Sequence, residues 1–170
     1  FGTVTGRLST YSGSFPILTM GKELRRLVKP QNDWFLSLDY NGAEARTVLS
    51  LLDIPQPDCD VHKWNMENVL SNSVKNREDA KKTFFSWLYN PDSKIIKNSI
   101  YNRGALLEKY YKDGYVNTVF GRKIKVDEYK ALNYLIQSTT ADLVNDRAVQ
   151  LDKLLDGKKS FISHIVHDEI

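Results

Sequence analysis

Two aspartates invite a chemical reading first. Asp39 closes the apolar run Trp34-Phe35-Leu36-Ser37-Leu38, and Asp168 follows the apolar stretch Phe161 to Val166. Both runs read as short buried strands, so each carboxylate is expected at the rim of a core. If the strands are neighbours, two hard oxygen donors converge. Such donors suit Mg²⁺, which keeps several waters and binds through one or two carboxylates plus substrate phosphates. Mn²⁺ accepts the same donor set. Two such ions about 3.5–4 Å apart activate an attacking oxygen and stabilise a leaving one in phosphoryl transfer. Taken singly, an aspartate at a strand end is more simply the cap of the next turn.

Arg77, Lys81, Phe85 and Tyr89 recur every fourth residue. Each step of four drifts only about 40° around a helix, so all four share one face over about 18 Å. Two cations followed by two rings match a nucleoside triphosphate in order and in kind. Cations neutralise phosphate, and a ring stacks on base or sugar. On spacing alone, an amphipathic helix with core aromatics and solvated cations is the simpler reading. Asn133 and Gln137, again four apart, are donors beside an apolar stripe. With Arg7 they suit the minor groove, where acceptors occur at every base pair. Ordinary polar helix surface explains them more simply. Arg122, in Gly121-Arg122-Lys123, belongs to a basic turn that suits a phosphate backbone or solvent alike. A zinc site from Cys59, His164 and His167 is rejected. Residues three apart on a strand point to opposite faces, and no fourth ligand has a recognisable spacing.

The elements that must position these residues follow from periodicity and caps. Ala43 to Leu52 reads as a helix with Asn41 as N-cap and Glu44 at the capping-box position, ended by Pro55 and Pro57. Val61 to Leu70 is a short helix, and Arg77 to Tyr89 a stronger one stopped by Asn90-Pro91. Lys94 to Lys112 reads as a third helix, closed by Asp113-Gly114. Tyr115 to Val126 reads as strand-turn-strand around Gly121. Tyr129 to Leu155 is the longest helical pattern, with a stripe of Leu132, Leu135, Ile136, Leu143, Val144, Leu151, Leu154 and Leu155. A helical, charged block thus lies between two terminal strands. That is the layout of an α+β body with a helical insertion.

Composition bounds the rest. At 170 residues, with 41% apolar and 26% charged residues, the chain is an ordinary globular length and mixture and can bury a real core. Its one cysteine, Cys59, allows no internal disulfide and suggests a reducing compartment. No apolar run approaches the roughly 18 residues of a membrane span. The net charge of +3 is compatible with a nucleic-acid partner without requiring one. The chain starts at Phe1 without a signal-peptide pattern and ends at Ile170 directly after an acidic pair, so it is expected to be a piece of a longer protein.

The order of these signals carries more than any one of them. Thr5-Gly6-Arg7-Leu8-Ser9 looks like a T-G-R-L-S segment, and Asp39 to Arg46 like a motif A of the form D-Y-S-x-x-E-x-R. Asp60-Val61-His62 looks like a D-x-H element. Arg77, Lys81, Phe85 and Tyr89 match a motif B, and Thr118 to Lys123 a T-x-x-G-R-[RK] segment. Asn133 and Gln137, continued by Thr140-Ala141-Asp142, match a long helix, and His167-Asp168-Glu169 a motif C. In this order the sequence resembles the polymerase core of the family A, DNA polymerase I-like, DNA polymerases, in a phage-like form. It departs from the pattern at Asn41-Gly42-Ala43, at Ser86 and Asn90 where glycine is usual, and at Tyr129 where arginine is common.

The resemblance implies a palm with a small antiparallel sheet packed on helices, plus an inserted helical fingers lobe. Residues 1–59 would be palm, 60–126 fingers, and 127–170 palm truncated after motif C, with no thumb or exonuclease. It implies DNA-templated DNA synthesis in replication, by two-metal nucleotidyl transfer from a dNTP to a primer 3′-hydroxyl. Asp39 and Asp168 would hold two Mg²⁺ ions, supported by Glu169. Arg77 and Lys81 would hold the triphosphate, with Lys81 also protonating pyrophosphate. Phe85 would pack on the sugar and base, and Glu44, beside Tyr89, would be a steric gate against ribose. Arg7, Asn133 and Gln137 would contact the minor groove, His167 the primer terminus, and Arg122 the DNA backbone. Primer-template DNA and dNTPs are the expected partners, without a membrane, and the resemblance leaves any accessory clamp open. The expected compartment is the cytoplasm, a host's if the chain is phage-encoded. A single-subunit RNA polymerase core is an alternative that Glu44 argues against. A non-catalytic DNA-binding fragment is another.

Overall fold

Capping side chains and glycine-bearing turns set most element boundaries. The computed structural model describes residues 2–70, 73–96 and 100–170. Its helices are α1 (Lys22–Arg25), α2 (Ala43–Leu51), α3 (Val61–Asn68), α4 (Arg77–Tyr89), α5 (Arg103–Tyr110) and α6 (Glu128–Leu155). Strands β1 (Tyr111–Lys112), β2 (Tyr115–Asn117) and β3 (Lys123–Lys125) form an antiparallel sheet in the order β1-β2-β3. Helices with a small antiparallel sheet make the chain α+β. The chain divides into two compact units: Phe1–Tyr40 with Thr140–Ile170, and Asn41–Thr139. The boundaries expected at 59/60 and 126/127 both fall inside the second unit.

The second unit holds the core. Val48, Leu49, Val61, Phe84, Leu88, Leu106, Val116, Leu132, Leu135 and Ile136 are all buried there. Helix α2 begins at Ala43 as expected, but its N-cap is Gly42, not Asn41. Gly42 has φ +64°, and a Cβ on it would lie 2.3 Å from Val61 Cγ1, so backbone conformation and space both demand glycine. Asp60 caps α3, accepting from the N–H groups of His62 and Lys63 at 3.0 Å each. Asn76 caps α4 through Asp79 N–H, and Asn102 caps α5 through Ala105 N–H.

The helix expected over Lys94 to Lys112 is therefore shorter, starting only after Asn102. Residues 97–99 of that expectation lie outside the described residues. Tyr111 and Lys112 leave the helix to pair with Val116 and Tyr115. The turn at Asp113 (φ 52°) and Gly114 (φ 78°) sends the chain back. The strand-turn-strand over Tyr115 to Val126 forms as expected, with Val116 opposite Ile124.

The first unit corrects the terminal strands. Residues 34–38 form no strand, and they are not buried: Trp34 is 86% and Leu36 79% exposed. Phe161 to Val166 likewise forms no strand beyond a single bridge at Val166. The reason is that no described strand flanks residues 34–37. Pairing is confined to the short ladder where Leu38 and Ile170 exchange hydrogen bonds of 2.9 and 3.0 Å. The apolar stripe of α6 is buried at Leu132, Leu135, Ile136 and Val144. It then fades, with Leu154 75% exposed. Among the described residues, no helix is long and apolar enough to cross a membrane.

Candidate functional site

In the first unit, the ladder decides where the acidic residues go. The reciprocal bonds between Leu38 and Ile170 make Asp39 and Glu169 the next, non-hydrogen-bonded pair, and Tyr40 N–H reaches Asp168 O at 3.4 Å. Residues opposed in that way have Cα atoms about 4.5 Å apart and side chains on one face. Segments from opposite ends of the sequence thus bring Asp39 and Glu169 face to face, with Asp168 beside them on a tight turn. Glu169 Oε1 also accepts from Ser37 Oγ, its diagonal neighbour across the ladder. The turn is His167-Asp168, closed by Val166 N–H to Glu169 O at 2.8 Å and Glu169 N–H to Val166 O at 3.1 Å. His167 is exposed and takes φ +60°, a left-handed conformation that strains a side-chain-bearing residue. Asp39 is exposed, while Asp168 and Glu169 are half-buried.

Asp39 and Glu169 are hard oxygen donors. Two carboxylates directly opposed across a ladder repel one another unless a cation or proton intervenes. Mg²⁺ takes one or two carboxylates and fills its remaining positions with water and phosphate oxygens. Among the described residues, no three His, Cys, Asp or Glu side chains converge closely enough to form an all-protein cage.

In the second unit, α4 presents the face expected of it. Its core side is Ala80, Phe84, Trp87 and Leu88. Arg77 and Phe85 are half-buried, and Lys81 and Tyr89 exposed, so the aromatics that serve the core are Phe84 and Trp87. The rings of Phe85 and Tyr89 stack at 5.7 Å and 7°. Tyr89 OH donates to Glu44 Oε2 at 2.7 Å. Glu44 is 8% exposed, so the carboxylate expected to close a capping box is turned to the ring of α4 instead. No ion pair involves Lys81 among the described residues.

Arg77 leads to residues whose role sequence reasoning missed. Its Nε and Nη2 donate to Asp60 Oδ2 at 3.0 and 2.9 Å, and its Nη1 to Glu78 Oε1 at 2.7 Å. Asn41 Nδ2 donates to the same Asp60 oxygen at 2.8 Å, and Asn41 Oδ1 accepts from Val61 N–H at 3.1 Å. Arg46 braces the adjoining loop through the carbonyls of Asn41, Pro57 and Cys59. Asp60 therefore joins the start of α2, α3 and α4. Partial burial opposes its charge, but hydrogen bonds from Arg77, Asn41 and Lys63 N–H outweigh that and hold its carboxyl well below the usual range. The signal was present in the D-x-H spacing and in the aspartate preceding an apolar helix. His62, 2% exposed against Phe84 and Phe85, has a buried Nδ1 without a hydrogen-bond partner. Burial first, then the charge of Arg77, keeps its pKa below the ordinary 6.5.

The remaining candidates are spread over both units. Asn133 and Gln137 are half-buried on the first half of α6, and Asn133 Oδ1 is buried without a partner. Arg122 is half-buried in a turn held by Arg122 N–H to Thr118 Oγ1 at 3.1 Å, with Gly121 at φ 79°. Arg7, half-buried, lies in the first unit, in a turn where Thr3 N–H donates to its carbonyl at 2.8 Å. Asn145 Nδ2 ties that turn to α6 through Gly6 O at 3.2 Å.

Comparison with known proteins gives consistent relatives. The chain is 26% identical to DNA polymerase I of Deinococcus radiodurans over 217 residues, covering 98% of this chain and 23% of the relative. It is 26% identical to DNA polymerase I of Pseudomonas aeruginosa over 219 residues, covering 98% and 24%. It is also 26% identical to the thermostable DNA polymerase I of Thermus aquaticus over 220 residues, covering 99% and 26%. The chain spans about a quarter of the length of these relatives. Their matched regions are longer than the 170 residues of this chain, so they carry extra residues within the match. All three are bacterial and lend nothing to a phage-like form. No protein-family model and no solved structure matches. Similarity over nearly the whole chain relates it, at low identity, to bacterial DNA polymerase I.

Proposed function

We propose that this chain is the nucleotidyl-transfer core of a DNA-templated DNA polymerase. The observation that supports the proposal is the pairing of residues 38–40 with 168–170, which sets Asp39 opposite Glu169, the chain neighbour of Asp168. Asp39, Asp168 and Glu169 would hold Mg²⁺, which when bound supplies charge stabilisation at phosphate oxygens and a more acidic primer hydroxyl. Arg77 and Lys81 would bind the polyphosphate of a dNTP, and Lys81 would give a proton to the departing pyrophosphate. Phe85, held flat by its stack on Tyr89, offers a surface for sugar and base. Glu44, which accepts from Tyr89 OH, would act as the steric gate against a ribose 2′-hydroxyl. Asn133, Gln137, Arg7 and Arg122 contact DNA as donors and cations, and His167 meets the primer end. Catalysis of this kind is positioning plus electrostatics.

The test is primer extension by the full protein with Asp39→Asn or Asp168→Asn. Each substitution is expected to lower extension by at least about 10³-fold, roughly 4 kcal/mol of barrier, while primer-template binding is retained. Normal extension by either variant overturns the metal assignment.

A further inference from the structure

Arg77 is gripped by two carboxylates of unequal standing. Asp60 cannot leave. Its Oδ1 accepts from His62 and Lys63 N–H, and its Oδ2 from Asn41 and from Arg77 Nε and Nη2. Its side chain is 18% exposed. Glu78 is the opposite case. Its side chain is 65% exposed, and it accepts from Arg77 Nη1 at 2.7 Å. Exposed pairs of this sort contribute little and exchange readily with solvent. The guanidinium is thus anchored along its Nε–Nη2 edge and occupied only loosely at Nη1.

Building on the proposed role of α4 as a triphosphate holder, we infer that Asp60 is a positioning residue that presents Arg77, and that Glu78 is the exchangeable carboxylate whose place a triphosphate takes. A guanidinium matches phosphate oxygens through its planar fork, so fixing one edge aims the other. A polyphosphate carries several charges where Glu78 carries one, and it wins the exchange. Asp60 stays because five donors converge on it. Glu78 therefore tunes nucleotide affinity downward, and Asp60 tunes it upward without touching the nucleotide.

The experiment is a fluorescence titration of the full protein with a fluorescent dATP analogue and Mg²⁺, with inorganic tripolyphosphate as competitor. Arg77→Ala is expected to weaken binding about tenfold, equivalent to about 1.4 kcal/mol. Asp60→Asn, which keeps an oxygen to cap α3, is expected to weaken it about five- to tenfold, and to add nothing in the Arg77→Ala background. Glu78→Gln is expected to tighten binding about two- to threefold, and that gain too should vanish without Arg77. Tripolyphosphate should rank the variants in the same order. An Asp60→Asn loss that persists without Arg77 marks a structural role only and overturns the inference, as does an unchanged affinity in Glu78→Gln, an exposed substitution with no bearing on folding. If Arg77→Ala itself binds normally, α4 does not hold the triphosphate, and the proposed function of that helix fails with it.

Discussion

At the residue scale, the informative side chains are those whose partners differ from their simplest assignment. Glu44 lies in the first turn of α2, and its carboxylate accepts from Tyr89 OH on α4. Glu44→Ala is therefore expected to raise ribonucleotide incorporation at least about tenfold while leaving dNTP use less affected, read from paired kcat/KM values. His62 makes a pH prediction. Its folded pKa lies below 6.5, so the unfolded chain binds the proton first. Stability from neutral His62 is full above about pH 6.5 and is lost as pH falls through and below that value. Melting curves should fall on acidification from pH 7 to about pH 5, and His62→Gln should flatten that slope. Asp60 acts in the same direction at lower pH, since its carboxyl is held below its ordinary 3.8. The shared face of Arg77, Lys81, Phe85 and Tyr89 was legible at this scale because every fourth position on a helix must lie on one side. The partners Asp60 and Glu78 were not, because a salt bridge between a helix cap and another helix has no period in sequence.

At the element scale, α3 and α4 took their expected bounds within two residues because caps and apolar spacing agree there, and Asn90-Pro91 stops α4. The helix over Lys94 to Lys112 was overdrawn because Asn102 captures Ala105 N–H and starts the helix late, while strand pairing takes Tyr111 and Lys112. The start of α2 shows how one atom sets an element. Gly42→Ala would place a methyl 2.3 Å from Val61 Cγ1 in a left-handed residue. The expected loss is about 1–3 kcal/mol from overpacking plus about 1 kcal/mol from the backbone, measured by denaturant unfolding. A shift of less than about 1 kcal/mol would mean that α3 can move away, which the Asp60 and Asn41 contacts oppose.

At the scale of the whole molecule, apolar residues are divided unevenly. The second unit buries Phe84, Leu49 and Leu135, whereas the first leaves Trp34, Leu36 and Leu27 largely exposed. Phe84→Ala should then cost about 3–5 kcal/mol, while Trp34→Ala should stay within about 0.5 kcal/mol, although tryptophan is the larger residue. Comparable losses at both sites in chemical denaturation would show that Trp34 is buried in solution. The terminal strands were misread for the same reason. An apolar run specifies burial only when a partner layer covers it, and composition does not show whether one does.

The register at Asp39 has a last consequence. Two like charges face each other in a ladder of few backbone bonds, the Leu38–Ile170 pair and Tyr40 N–H to Asp168 O. Their mutual push is shortened by dissolved electrolyte. How tightly residues 166–170 cling to the segment after Leu36 is accordingly set by the buffer as much as by the fold. A dilute, chelator-treated solution should hold that junction most loosely.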